Sequence, residues 1–215
     1  MAETATDTTP WELLETWSPR LFLVGFALEL VFAVNHGIAY LMESVTFIDW
    51  IYPTVLLGRL AVLLGLAGLS VRIVTTSPRF GKLSRGVASV AVLVTIGFLS
   101  LSVLDIVGFT VEFTTSIIAA LGIGTVALTI LTLLLFGVAG IRTDAYSSMV
   151  GGLLLVTALA VIGVLVSLGV GVLSTNVIGA VGEGVNAIAF LAIWHVLTAE
   201  SKETKSAEPA TDSAI

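Results

Sequence analysis

Six stretches of this chain, about residues 20–42, 52–75, 85–108, 114–141, 149–173 and 176–198, are apolar over the roughly 20 residues that a helix needs to cross a bilayer. Hydrocarbon offers the backbone no water to bond with, so each stretch must satisfy its own N–H and C=O groups by coiling into a helix. Only 11% of the 215 residues are charged, against about 25% in a soluble domain, and mean hydropathy is +1.10. Such a chain has too little charge to cover a surface facing water. The expected fold is all-α: a polytopic transmembrane six-helix bundle, residues 19–198.

Local signals mark the ends of these spans. Ser18-Pro19 offers a hydroxyl cap and a proline at the first helical position before the first span, and Ser84 offers a cap before the third. Upstream, Thr9-Pro10-Trp11-Glu12 has the pattern of a capping box. It opens the segment TPWELLETW, whose Trp11, Leu13, Leu14 and Trp17 suit the headgroup layer. Residues 1–18 therefore read as an acidic N-terminal segment with a short interfacial helix. Residues 199–215 are polar, carry Pro209 and several Ser and Thr, and read as a disordered tail.

Charge sets the orientation. Arg72, Arg79, Lys82 and Arg85 lie between spans two and three, Arg142 follows span four, Lys202 and Lys205 follow span six, and Arg20 precedes span one. The remaining connections hold Glu43 and Asp49, Asp105 and Glu112, and then no charge. By the positive-inside rule both termini are cytoplasmic, with Trp50 and Tyr52 as an aromatic anchor at the outer face. No basic n-region or small-residue cleavage site suggests a cleaved signal peptide at the N-terminus. A net charge of −6 argues against nucleic acid as a partner and leaves the lipid bilayer as the expected one. Homo-oligomers and membrane-protein partners stay open. With no cysteine, disulfides and thiolate chemistry are excluded, and acidic segments with only three lysines fit a high-salt host.

Four ionisable side chains interrupt the apolar stretches: Glu29, His36, Arg59 and Glu183. A charge at membrane depth is costly and usually faces the bundle interior with a partner or a task. Counting from the span ends places Glu29 roughly 13 Å from the inner surface, His36 and Arg59 roughly 24 Å, and Glu183 roughly 21 Å. His36, Arg59 and Glu183 are then expected to form a buried polar layer with Asn186 and Asp105, while Glu29 lies deeper with no base at its own level. Glu29, His36 and Tyr40 share one helical face by their spacing.

Two readings of these residues compete. In the first, Arg59 pairs with Glu183 or Asp105, His36 donates to a carboxylate, and the layer fixes helix neighbours. In the second, Glu29, His36 and Glu183 line a hydrated vestibule that takes up a proton or cation. Pairs of small residues four apart, Ala61 and Gly65, Ala120 and Gly124, Ala180 and Gly184, are expected to let helices approach closely. No inverted repeat of the first three spans is apparent, which weighs against inverted-repeat transporter architectures. His195 lies roughly 20 Å in depth from His36, so the two cannot share a haem or a metal, and no cofactor is expected. The motifs of metallopeptidases, serine hydrolases and phosphate loops are absent from the sequence.

The segments LLLFGVAGIRTDAYSSMVGGLLL (Leu133 to Leu155) and GEGVNAIAFLAIWHVL carry a resemblance. The former is similar to a pattern of small six-span integral membrane proteins of haloarchaea and actinobacteria, in which a span ends in a phrase like FGVA-x-x-R-T before a Gly-rich span. The latter resembles the same family's final helix, with an acid near its start. Where that pattern often has proline in the loop, this chain has Ser147-Ser148. The resemblance covers the last third of the chain and implies a fold type and a host range, without an activity. The sequence thus points to a non-enzymatic component of the cell membrane, structural, accessory or sensory. A small proton- or cation-coupled transporter using Glu29, His36 and Glu183 is the alternative, and an enzyme acting on lipid comes third.

Overall fold

The computed structural model describes residues 9–42, 51–109, 114–171 and 174–207. They form six helices and, among the described residues, no strand: α1 (Pro10–Leu41), α2 (Ile51–Thr76), α3 (Pro78–Ile106), α4 (Thr114–Arg142), α5 (Ser148–Val170) and α6 (Thr175–Ala207). All six are long and apolar enough to cross a membrane. Consecutive helices pack side by side, and α6 returns to α1, so the bundle closes on itself. Helix α2 also touches α4 across the ring and is the most buried of the six. Its Leu63, Leu66, Leu69 and Ile73 are fully enclosed, together with Phe22, Phe136, Leu133, Leu154 and Ile193. Large apolar side chains such as Leu93, Ile123, Leu159 and Ile188 cover the outside. A water-facing bundle would not tolerate that surface, and lipid would.

Several expected boundaries move. The break at Ser18-Pro19 does not occur: α1 runs unbroken from the Thr9–Glu12 capping box to Leu41, with Pro19 inside it. The segment expected to be a separate interfacial helix is therefore the first part of a 32-residue helix. Ser18 is no cap. Its hydroxyl, bonded to the Leu14 and Gly65 carbonyls at 3.0 and 2.8 Å, ties α1 to α2. Helix α3 starts at Pro78, with only Ser77 between it and the end of α2, and leaves Ser84 buried inside it. Helix α6 continues through residues 199–207, which corrects the reading of that part as disordered; 208–215 lie outside the described residues, as do Glu43, Asp49, Trp50 and Glu112.

Helix contacts use glycines beyond the expected ones, and not all of those. A Cβ on Gly68 would collide with the Leu14 carbonyl and the Ser18 hydroxyl, so α1 and α2 approach closely there because Gly68 has none. Gly65 packs near Phe22 as expected, whereas Gly184 and the span-five glycines Gly163, Gly169 and Gly171 face open space.

Candidate functional site

Helix α1 places its polar residues on one stripe. Ser18, Phe22, Gly25, Glu29, Phe32 and His36 alternate steps of three and four, and all are buried. Tyr40, expected to extend this face, is half-exposed at 53%, and Ala39 takes the buried place. The stripe faces α2 on one flank and α6 on the other.

The Ser18–Gly65 bond fixes the antiparallel register of α1 and α2. It puts the Arg59 backbone level with Val24, about 7.5 Å short of Glu29 along the axis. Side chains lean toward the N-terminus of their own helix, and these helices run in opposite directions. Arg59 and Glu29 therefore lean toward each other, and Arg59 Nε comes to 3.8 Å from Glu29 Oε1. The expected isolation of Glu29 is thereby corrected. Against α6, the Phe22–Phe190 ring contact and the His36–Asn176 contact bracket Glu29 and Glu183 seven residues on either side. The two acids thus share a level, although counting from span ends had separated them.

Arg59 Nη2 donates to Glu183 Oε1 at 2.9 Å, and Asn186 Nδ2 donates to Glu183 Oε2 at 2.9 Å. Glu29 is 1% exposed, Asn186 4% and Glu183 7%. Leaving either charge alone here would cost several kcal/mol, about 3–5 kcal/mol in comparable buried pairs, so pairing dominates the local energetics.

His36 stands two turns away from this group. Its Nδ1 lies 3.4 Å from Asn176 Oδ1, its ring meets Phe32 edge-on at 4.4 Å, and Gly179 packs against it. Asp105 does not belong to the layer. It is exposed and lines a separate opening of about 520 Å³ with Tyr52, Pro53, Phe98, Ser102, Ile106 and Ile118. His195 is exposed beside Trp194.

A small cavity of about 10 Å³ adjoins the charged group. It is lined by Glu29, Arg59 and Asn186, by Thr129 of α4 and Thr157 of α5, and by apolar side chains including Leu66 and Phe190. Three of its buried oxygens, Glu29 Oε2, Asn186 Oδ1 and Thr129 Oγ1, have no hydrogen-bond partner. Threonines are common on apolar helices and no spacing singled out Thr129, so sequence reasoning missed it.

A second ion group lies at the arginine-bearing end. Arg72 donates to Glu15 Oε1 at 2.9 Å and to Glu200 Oε2 at 3.2 Å, and Glu200 Oε1 accepts the Ser147 N–H at 3.0 Å. It joins α1, α2, α6 and the α4–α5 connection. Arg85 stacks over Trp11 at 4.7 Å and donates to Ser70 Oγ at 2.9 Å. The sequence had these charges only as markers of sidedness. Among the described residues no group of three or more His, Asp or Glu is arranged to hold a metal. No protein-family model, curated protein or solved structure matches this chain.

Proposed function

We propose that this chain is a non-enzymatic multi-pass integral membrane protein of the cell membrane, a structural, accessory or sensory component whose buried charges lock α1, α2 and α6 together. In this reading both termini are cytoplasmic, because the basic residues of the loops favour that side. Kinship with the six-span proteins of haloarchaea and actinobacteria is part of the same proposal.

One observation carries it: Arg59, from α2, is held between Glu183 of α6 at 2.9 Å and Glu29 of α1 at 3.8 Å. The space beside the three is about 10 Å³, the lower limit for a single water. Transport through Glu29, His36 and Glu183 calls for a wet path of far larger volume. A compact, paired group serves better to select helix neighbours, since mispacked helices would strand a charge in hydrocarbon.

The test is a charge exchange. Arg59→Met should destabilise the purified protein by about 3–5 kcal/mol, and the double exchange Arg59→Glu with Glu183→Arg should recover about half of the loss of Arg59→Glu alone. An Arg59→Met protein as stable as the wild type would refute the lock. Proton or sodium flux in proteoliposomes that Glu29→Gln abolishes would replace it with the transport reading.

A further inference from the structure

We infer that the cavity between α1, α2, α4, α5 and α6 is a binding site for one small monovalent cation, a sodium ion held at Glu29, Asn186 and Thr129 or a proton carried by Glu29. The inference rests on the lock proposed above and names what completes its charge.

Two independent observations meet at this place. The first is a set of orphaned oxygens. Glu29 Oε2, Asn186 Oδ1 and Thr129 Oγ1 come from three helices, each on a side chain more than nine-tenths buried, and all three residues line one cavity of water size. Buried polar atoms without partners are rare, and three around one cavity mark a ligand that bonds to oxygen. The other is the charge count. Two carboxyl groups face one guanidinium, and Arg59 Nη2 is committed to Glu183. Its Nε, at 3.8 Å from Glu29 Oε1, is beyond hydrogen-bonding distance.

A bound water would satisfy the three oxygens and leave one negative charge in the interior. A divalent ion would overcompensate it. A sodium ion meets both conditions, whereas a proton cancels the charge and supplies a single donor. Sodium would be coordinated by the three oxygens. A proton would reside on Glu29 Oε2 and be donated to one of the other two orphaned oxygens. The titratable groups facing the site are Arg59 from α2, Glu183 from α6 and, two turns along α1, His36; α4 and α5 contribute Thr129 and Thr157 to its lining.

The experiment follows thermal unfolding of the full chain in detergent by tryptophan fluorescence, at constant ionic strength. Sodium chloride replaces N-methylglucamine chloride in one arm at fixed pH. In the other, pH is lowered in the absence of sodium, in a His36→Gln background so that His36 does not contribute. Saturation of the site should raise the Tm by roughly 5 °C in one arm. Glu29→Gln should abolish that rise. Thr129→Val, which keeps the ion pair, should shift a sodium midpoint at least tenfold and leave a proton response near its original pH. A Tm flat in both arms, or an equal rise with choline, overturns the site. If Arg59→Met is nonetheless strongly destabilised, the lock survives without it; if Arg59→Met is neutral, the lock itself fails.

Discussion

Glu29 on α1 and Glu183 on α6 stand at one level of an antiparallel helix pair, midway between the Phe22–Phe190 and His36–Asn176 contacts. Arg59 reaches the pair from α2, 2.9 Å from one acid and 3.8 Å from the other. The two carboxyl groups are therefore not equivalent, and their substitution should separate them.

Glu183 accepts from both Arg59 and Asn186, whereas Glu29 Oε2 accepts from neither. Glu183→Gln should cost about 2 kcal/mol, the scale of hydrogen bonds to charged groups, and Glu29→Gln less than about 1 kcal/mol. Urea unfolding of the two variants in the same detergent measures the order. A larger loss from Glu29→Gln would identify Glu29 as the main counter-ion of Arg59.

Gly179 carries α6 past the His36 ring, and a Cβ there would lie 2.9 Å from its Cγ and Nδ1. Gly179→Ala should destabilise by about 1–3 kcal/mol through overpacking. Gly184→Ala meets nothing within 4 Å and should change stability by no more than about 0.5 kcal/mol. Equal effects at the two positions would contradict the α1–α6 packing.

The two arginine groups should respond differently to salt. Arg72 and its partners are more than a quarter exposed, so Arg72→Ala should cost under about 1 kcal/mol and less still at high salt. The loss from Arg59→Met should persist at molar salt, because Glu29 and Glu183 are buried and bulk salt screens buried pairs far less than exposed ones. Unfolding midpoints at two salt concentrations test the contrast.

Tyr146 is buried in the α4–α5 connection and its hydroxyl donates to the Phe136 carbonyl. Tyr146→Phe removes that bond while the carbonyl keeps its place in the α4 ladder, and should cost about 0.5–1.5 kcal/mol, readable as a drop in the unfolding midpoint. No change would mean the bond adds nothing to holding the connection.

Much of the fold was legible because length and hydropathy act locally. Each apolar stretch became one helix, and the Thr9–Glu12 capping box is formed as its residues suggest. The site was only partly legible. His36, Arg59, Glu183 and Asn186 stood out because ionisable and amide groups are rare in apolar spans. Arg59 and Glu183 do pair, but Glu29 was held apart and Asp105 wrongly drawn in. The first error arises because depth counted from a span's end assumes that every span starts at the membrane boundary. Helix α1 begins ten residues before Arg20, and its register is set by Ser18 against Gly65. A better signal was present in the steps of three and four from Ser18 to His36, which put Glu29 on the same stripe.

By itself, then, the sequence determined the number and approximate length of the helices, their apolar exterior and the identity of most residues too polar to face lipid. These follow from one-dimensional requirements, the satisfaction of backbone hydrogen bonds and the cost of charge in hydrocarbon. Only the tertiary structure decided which charges meet and which oxygens remain without a donor. That depends on axial register, which small residues such as Gly68 and Gly179 set by allowing close approach, and on the opposed lean of side chains in antiparallel helices. A shift of one turn, about 5.4 Å, would leave the composition of every span unchanged and separate Glu29 from Arg59.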